Sequence, residues 1–441
     1  MTKPSDPKRR SASTIPRDAS AVSSLDLSKR DLTLDLARVF CVLLVVVIHL
    51  LFIGVGRDAE GELVISRPLE EQSWFAGVTW VGQIMPLFFV VGGFASITAW
   101  RSNVRRGGTA ADYVRTRVLR LAQPSLPLFL FYVVVIGGAT LLAIAPELVG
   151  TVVEGAGSPL WFIAAYCLCQ ALVPVMVRLH ARAAGPTLGV LLLGAVLVDA
   201  ARYASGVTQV GYLNMFFVWL LVQQIGFWYA DGWFARRTWW QLVLLAAACY
   251  AALVPLTAVG PYSVDMLDNL NPPTLPLVLL GLAQACVLRL LHPVLAKLMS
   301  THAARAVVFL VGTRLMTIYL WHLPVIIIVA GIGLLIPGAS PEPASPAWWW
   351  SRIPVYLVVL GLLFALSFLV GRWEQPREVG PTPPTWVVAI AAVLTFVPPF
   401  LVIEYFLGLW LAIAGAASFG VAILLLGRWP ANRGSTPSVV E

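Results

Sequence analysis

Long apolar runs recur along almost the whole chain, and each is about long enough to cross a lipid bilayer as a helix. An α-helix rises about 1.5 Å per residue, so roughly 20 apolar residues span the hydrocarbon core. Of the 441 residues, 59% are hydrophobic and only 12% are charged, which is not typical of a soluble domain. We predict an all-α polytopic integral membrane helical bundle of about twelve spans, near 34–54, 74–99, 121–145, 159–179, 186–204, 211–231, 240–259, 273–292, 306–336, 351–371, 385–403 and 405–427.

The charged residues between these runs alternate in sign. The basic tail at 1–33 is followed by an acidic loop at 55–73 and then by an arginine-rich loop at 101–120, and the alternation continues to the end of the chain. Because positive residues stay on the cytoplasmic side of a membrane, the pattern predicts that both termini are cytoplasmic. We expect a multi-pass protein of a cell membrane, the plasma or inner membrane of a bacterium.

The runs and loops divide the chain into five parts. We expect a disordered basic tail at 1–33, a membrane domain at 34–371, a cytoplasmic linker at 372–384, two additional transmembrane helices at 385–427 and a cytoplasmic tail at 428–441. The final pair of helices is treated as an appendage to the ten spans before it. The first run is long enough to span the membrane, so it is predicted to be a retained helix and not a cleaved signal peptide.

Several kinds of site are not indicated by the sequence. The five cysteines lie in or beside apolar runs, so we expect neither disulfides nor a metal site. No phosphate-binding loop, hydrolase elbow or zinc-peptidase motif occurs. We expect no permanently bound cofactor, and so apolar a chain is not expected to bind nucleic acid.

Three ionisable residues lie in the first apolar run, where charge is costly. Ten residues separate Arg38 from His49, and Asp35 precedes Arg38 by one helical turn. Eleven steps of about 100° return His49 to within roughly 20° of the helix face of Arg38, about 16 Å along the axis. Ionisable groups inside a membrane usually face a protein interior or a wet cavity and mark a functional path.

Both basic residues of this run have two interpretations. His49 can simply stabilise helix packing through a hydrogen bond. Alternatively, a neutral imidazole in a partly dry cavity suits a general base for a hydroxyl acceptor, or it can carry an acyl group itself. Arg38 would lie near the cytoplasmic edge, where it could bind an anion, pair with Asp35 or act as a basic membrane anchor.

Arginines also cluster in the cytoplasmic stretch at 113–120. Arg117 and Arg120 are one helical turn apart, so their guanidinium groups can converge, and Arg115 is near in sequence. Guanidinium forks suit phosphate oxygens, such as those of coenzyme A. Because basic cytoplasmic loops are common in polytopic proteins, charge alone leaves a purely topological role open.

Spans two, four and nine carry further candidates. Gly92 and Gly93 permit the close approach of another helix or of a substrate. Trp161 starts the fourth span at a membrane interface, where tryptophan is common. Tyr319 and His322 lie on one face of the ninth span. Helix packing and substrate binding are both open for these residues.

Together these features resemble the acyltransferase-3 family of membrane-bound O-acyltransferases. The resemblance covers about 34–371 and rests on the order and spacing of several motifs. They are Arg38 with His49, the stretch PLFFVVGGF from Pro86 to Phe94, Arg117 with Arg120, Leu160-Trp161-Phe162 and Tyr319-Leu-Trp-His322. Two departures are Gly92, where many members have serine, and the final two spans, which exceed the family's usual ten.

The resemblance implies an enzyme that moves an acyl group, often acetyl, from cytoplasmic acyl-CoA to a hydroxyl of a sugar, glycolipid or cell-envelope polysaccharide. Its partners would be acyl-CoA as co-substrate, membrane lipids and a carbohydrate or glycolipid acceptor. His49, assisted by Arg38, would be the base or the acyl carrier. The cofactor-binding residues would be Arg115, Arg117 and Arg120. The substrate pocket would contain Asp35, Phe89, Gly92, Gly93, Trp161, Tyr319 and His322.

A multi-pass transporter or lipid flippase is the competing class, because twelve spans with cytoplasmic termini suit a carrier equally well. The chain has no detectable repeated halves of the kind that many carriers show, and the order of its motifs favours the acyltransferase. A non-catalytic scaffold would bear the cost of Arg38 and His49 inside the membrane without using them. The acceptor, the acyl chain and the oligomeric state stay open.

Overall fold

A computed structural model describes residues 31–58, 60–144, 146–373 and 380–427. Most of the predicted tail at 1–33, namely 1–30, lies outside the described residues, as do the predicted tail at 428–441 and the centre of the linker, at 374–379. The first helix begins at Leu32, before the predicted end of the first tail. The helices are α1 (Leu32–Phe52), α2 (Phe75–Gly82), α3 (Met85–Arg105), α4 (Ala110–Leu141), α5 (Pro146–Gly157), α6 (Trp161–Ser205), α7 (Asn214–Ala230), α8 (Trp239–Ala258), α9 (Leu275–Met299), α10 (His302–Gly312), α11 (Leu315–Leu335), α12 (Pro346–Val370), α13 (Thr385–Tyr405) and α14 (Leu409–Gly427). Helices suit a membrane because they satisfy their backbone hydrogen bonds internally.

Eleven helical stretches of the described residues are long and apolar enough to cross a membrane. This confirms a polytopic helical membrane protein. The predicted fourth and fifth spans fall in one stretch, Val149–Ser205, because α6 continues through both. Within α6, Ala183 has φ −155° and ψ 61°, which is not helical. Pro186 follows three residues later, where its ring clashes with the preceding helical turn.

The chain reverses direction at Ala183. Gln223 of α7 donates to the carbonyl of Cys169 at 3.2 Å, and Asn214 of α7 donates to the carboxylate of Asp199 at 2.8 Å. A straight helix would hold the two α6 residues about 45 Å apart, whereas their partners on α7 are about 14 Å apart. The two halves of α6 therefore lie side by side against α7.

Other boundaries also differ from the predictions. The predicted second span is two helices, α2 and α3, and the ninth is two helices, α10 and α11. Helix α4 begins at Ala110 and not near 121, because Thr109 and Asp112 form a reciprocal cap at its start. Arg115, Arg117 and Arg120, which the sequence placed in a cytoplasmic loop, therefore lie on the first turns of α4.

The last two helices, which the sequence analysis treats as an addition to the first ten spans, pack against those spans. The ring of Phe419 on α14 is fully buried and its centroid lies 5.0 Å from that of Phe129 on α4. A Cβ on Gly415 would come within 2.1 Å of the same Phe129 ring, so α14 and α4 approach closely at this glycine. On the other side, the thiol of Cys167 on α6 donates to the carbonyl of Ala392 on α13 at 3.6 Å. Both helices belong to the core of the bundle.

The bundle has two ends that are used as reference points below. The arginine end contains the starts of α1 and α4 and the end of α14. At this end, Oδ2 of Asp31 lies 3.5 Å from Nε2 of His292 on α9. The hairpin end contains α5, the junction of α13 with α14 and a short antiparallel hairpin of β1 (Gly54–Arg57) and β2 (Leu63–Ser66). Helix α1 runs from the arginine end to the hairpin.

Candidate functional site

His49 and His322 form the polar centre of the site, with ring centroids 4.9 Å apart. Nδ1 of His49 lies 2.9 Å from the carbonyl oxygen of Val45, and Nδ1 of His322 lies 2.5 Å from that of Tyr319. Because a carbonyl oxygen can only accept, each Nδ1 carries a proton, and in the neutral ring Nε2 has the lone pair. The two basic nitrogens are thus oriented by the helix backbone.

The two histidines differ in exposure. His322 is fully buried, whereas His49 is half-buried. Among the described residues, Nε2 of His322 has no hydrogen-bond partner. Nearly all buried polar atoms in proteins are paired, and the exceptions often have a chemical role. The unpartnered nitrogen beside His49 therefore marks this place as a candidate for chemistry.

A cavity of about 720 Å³ begins at His49 and extends to the hairpin end. This volume lies in the range of small-molecule sites. Apolar side chains dominate its lining, among them Phe52, Ile53, Leu323, Ile327 and Leu334. Arg67, Glu154 and Asn271 also line the cavity, and all three are exposed, so they lie at its mouth. The cavity therefore joins an apolar interior to a polar opening.

Several walls of the cavity were not predicted. The β1–β2 hairpin contributes residues such as Val55 and Ile65, and α5 contributes Gly155. The hairpin had a recognisable signal in the sequence, because short apolar segments flank the polar stretch RDAEGE. The end of α13 contributes Val402 and Ile403, for which the sequence has no local signal because they resemble any other apolar span.

Three arginines converge at the arginine end. Arg38 and Arg117 both lie close enough to Arg120 for their positive charges to repel that of its guanidinium group. The guanidinium of Arg117 also lies 5.1 Å from the ring centroid of Tyr113. The Nε atoms of Arg38 and Arg117 are buried and have no hydrogen-bond partner among the described residues. Like charges that are held together with unused donors form a site suited to an anion.

Arg115 is not part of this cluster. It is 4% exposed and donates through Nε and Nη2 to the carbonyl of Leu426, at 2.9 and 2.6 Å. Its Nη1 donates to the carbonyl of Gly380 at 2.7 Å and to Thr382 at 3.3 Å. The structure therefore places this predicted cofactor-binding arginine in contact with the C-terminal helices, where its donors are already used.

The glycines and Phe89 lie outside the cavity. A Cβ on Gly93 would lie 2.3 Å from the carbonyl oxygen of Gln223, so α3 and α7 pack backbone to backbone there. A Cβ on Gly92 would lie 3.4 Å from a ring carbon of Tyr166. The ring of Phe89 stacks on Trp219, with centroids 4.2 Å apart. Their positions favour the packing interpretation over direct substrate contact.

The other predicted pocket residues are distributed around the histidines. Trp161 lines the cavity together with His49. The hydroxyl of Tyr319 donates to the carbonyl of Pro159 at 2.6 Å, which ties α11 to the segment before Trp161. Asp35 lies near the start of α1 at the arginine end and is not a lining residue. The structure thus brings Trp161, Tyr319 and His322 to His49, but it leaves Asp35 at the arginine end.

Of the comparisons with known proteins, one identifies a family for the chain. No curated protein and no solved structure matches the chain. A family model described as an acyltransferase domain matches residues 31–372, which contain both histidines and the arginine cluster. The match ends before α13, so the last two helices lie outside it. The chain belongs to the acyltransferase-3 family of membrane acyltransferases.

Proposed function

We propose that this protein is an O-acyltransferase that moves an acyl group, acetyl in the simplest case, from cytoplasmic acyl-CoA to a hydroxyl of a sugar, glycolipid or cell-envelope polysaccharide. One observation carries the proposal. Helix α1 carries Arg38 of the arginine cluster near its start and His49, where the cavity begins, near its end. The two residues are about 16 Å apart along the helix axis. In the proposed scheme, donor and acceptor would approach His49 from opposite ends of the bundle.

The donor side of the proposal rests on the arginine cluster. Arg38, Arg117 and Arg120 would hold the phosphates of acyl-CoA, since guanidinium groups pair well with phosphate oxygens. The pantetheine arm would run along α1 and bring the thioester carbonyl to His49. Both termini, and with them this end of the bundle, would face the cytoplasm, as the basic residues around it favour.

The acceptor side rests on the cavity. The acceptor hydroxyl would enter from the hairpin end and approach Nε2 of His49. That nitrogen would take the hydroxyl proton while the oxygen attacks the thioester carbonyl, and a C–O bond would form as the C–S bond breaks. The imidazolium would then give the proton to the departing CoA thiolate. In this scheme His49 is a general base, and only the acyl group crosses between the two sides.

The acyl-carrier alternative can be separated from general-base catalysis. If His49 attacked the thioester itself, an acyl-imidazole would form before any acceptor is added. Rapid acid quenching of protein mixed with radiolabelled acetyl-CoA, followed by peptide mapping, detects such an intermediate on the peptide that contains His49. We expect no labelled peptide without acceptor, because the free Nε2 needs only to accept a proton.

The experiment that tests the function uses His49→Gln in the full-length protein, reconstituted with acetyl-CoA and a membrane extract as the source of acceptors. General-base catalysis typically contributes about 10²- to 10⁴-fold, so we expect a loss of that size in acetyl transfer with an unchanged acetyl-CoA dissociation constant. Unchanged transfer in a folded His49→Gln protein would refute the proposal. A transporter would show no thermal stabilisation by CoA, whereas the proposed enzyme should.

A further inference from the structure

The end of α13 forms part of the cavity that begins at His49. Val402, Ile403 and Phe406 line it together with α11 and the hairpin. These residues lie beyond residue 372, where the match to the family ends. The helices that the family match does not include therefore contribute directly to the candidate acceptor site.

Several contacts hold the end of α13 in this place. The carboxylate of Glu404 accepts from Gln209 at 2.7 Å and from Tyr212 at 2.8 Å. A Cβ on Gly157 would lie only 2.5 Å from Leu407, so the end of α5 packs tightly against the junction between α13 and α14. Polar contacts and packing thus hold the end of α13, which forms one wall of the cavity, from two sides.

The backbone at Phe406 is unusual. It has φ 53° and ψ 167°, a region that residues other than glycine rarely adopt. A glycine would take this turn more easily, yet the chain has a phenylalanine whose side chain borders the cavity. Strained residues of this kind cluster at ligand sites, where neighbouring contacts compensate for the strain.

The chemistry of the lining indicates what this wall contacts. On the α11 side, the cavity is bordered by Ile327, Ala330 and Leu334, which offer no hydrogen-bonding side chains. Polar side chains occur at the mouth, including Arg67 and Glu154. A free sugar would leave its hydroxyls unpaired against the α11 and α13 walls, whereas an aliphatic chain would bury apolar surface there.

We propose that the end of α13 is a specificity wall for an acceptor that carries an aliphatic chain. The chain would lie between α11 and α13, and the hydroxyl-bearing group would reach His49. This inference rests on the proposed acyltransferase function and narrows its acceptor to an amphiphile. Ile403 is the residue chosen to test the chain, because it lines the cavity and is half-buried, whereas its neighbour Val402 is buried.

The test compares methyl glucoside with hexyl glucoside as acetyl acceptors in nanodiscs. A fully buried methylene contributes about fourfold to kcat/KM, so the wild type should strongly prefer the hexyl compound. Ile403→Trp fills the space and should lower that preference at least tenfold, with an unchanged acetyl-CoA dissociation constant. Ile390→Trp is the matched control, because Ile390 lies on α13 but is 45% exposed and does not line the cavity.

A second readout does not depend on acyl transfer. A hexyl glucoside with a diazirine on its chain is crosslinked by light, and the labelled peptides are mapped by mass spectrometry. The proposal is supported if α11 and α13 are labelled, and if excess hexyl glucoside suppresses this labelling whereas methyl glucoside does not. The same labelling without any acetyl transfer would support the binding of the aliphatic chain and refute only the enzyme function. The proposed role of α13 would be refuted by either of two results. The first is an equal kcat/KM for both glucosides together with labelling outside α11 and α13. The second is an equal effect of Ile403→Trp and Ile390→Trp.

Discussion

The ring of His322 packs against that of His49 at 4.9 Å, and each ring donates from Nδ1 to a carbonyl of its own helix. The two residues are 273 positions apart in the chain, as the difference between 322 and 49 shows. Only His49 faces the cavity, and His322 lies buried beside it. We therefore assign the proton transfer to His49 and a positioning role to His322.

The first prediction separates these roles through His322→Phe. The phenyl ring keeps the contact with His49 but removes the unpartnered Nε2, whose burial costs about 1–3 kcal/mol. We expect a melting temperature equal to or above that of the wild type, together with a loss of about tenfold or more in acyl transfer. Thermal denaturation and a transfer assay on one preparation measure both. Full activity in this variant would show that His322 serves packing alone.

The second prediction concerns the arginine cluster. Hydrogen bonds to charged groups contribute about 1.5–3 kcal/mol each, so Arg117→Gln and Arg120→Gln should each raise the acyl-CoA dissociation constant by about tenfold to a hundredfold. Since salt screens exposed charges, the acyl-CoA dissociation constant of the wild type should also rise with ionic strength. In the variant that carries both Arg117→Gln and Arg120→Gln, this constant should rise less steeply with ionic strength. Titration calorimetry at two salt concentrations measures this. The control is Arg105→Gln, an exposed arginine at the same end; an equal effect there would mean that overall charge, and not this site, binds the ligand.

The third prediction concerns Arg115, which the sequence assigned to the donor site. Its hydrogen bonds to Leu426, Gly380 and Thr382 hold the C-terminal helices on α4. Arg115→Ala should lower the melting temperature and increase proteolysis after 380, but it should leave the acyl-CoA dissociation constant within about twofold of the wild type. A loss of acyl-CoA affinity as large as that of Arg117→Gln, without destabilisation, would restore Arg115 to the donor site.

The fourth prediction contrasts two adjacent glycines. Gly93→Ala would place a Cβ 2.3 Å from the backbone of Gln223, so α3 and α7 must separate, at a cost of about 1–3 kcal/mol. Gly92→Ala meets only the ring of Tyr166, at 3.4 Å, and helix propensity favours alanine by about 1 kcal/mol. The melting temperature should therefore fall for Gly93→Ala and stay level or rise for Gly92→Ala. Equal effects would contradict the packing assignment.

The fifth prediction is a pH dependence at Asp231, which follows α7 at the arginine end. Burial pushes the pKa of Asp231 upward, but hydrogen bonds from Arg101, at 2.6 Å, and His180, at 3.0 Å, outweigh it and hold that pKa below its ordinary value. A carboxyl with a lowered folded-state pKa stabilises the fold above its unfolded pKa of about 3.9, and the contribution disappears as the pH falls through the folded value.

Asp231→Asn should therefore lower the melting temperature at neutral pH and flatten its decline below about pH 4. Because the carboxylate is partly exposed, the effect should be modest. Differential scanning fluorimetry between pH 3 and 7 checks the slope. Glu342→Gln, at an exposed position of the hairpin end, is the control and should retain the wild-type slope.

Much of the site was predictable because its parts are local. Arg38 and His49 lie on one helix, so the helical period alone places them on one face, and Arg117 with Arg120 follow the same rule. The contact between His49 and His322 could not be predicted in this way. It depends on how α11 packs against α1, and α11 is almost uniformly apolar, so its pattern does not indicate which face is buried.

The sequence by itself determined the helical membrane architecture. In lipid, an apolar run must satisfy its own backbone hydrogen bonds, and a helix does so within one segment. The tertiary structure alone decided that Arg115 contacts the C-terminal helices and that Ile403 borders the cavity at His49. Both outcomes depend on close packing between residues hundreds of positions apart. Such packing is set by the shapes of whole helices, which no local pattern of apolar residues records.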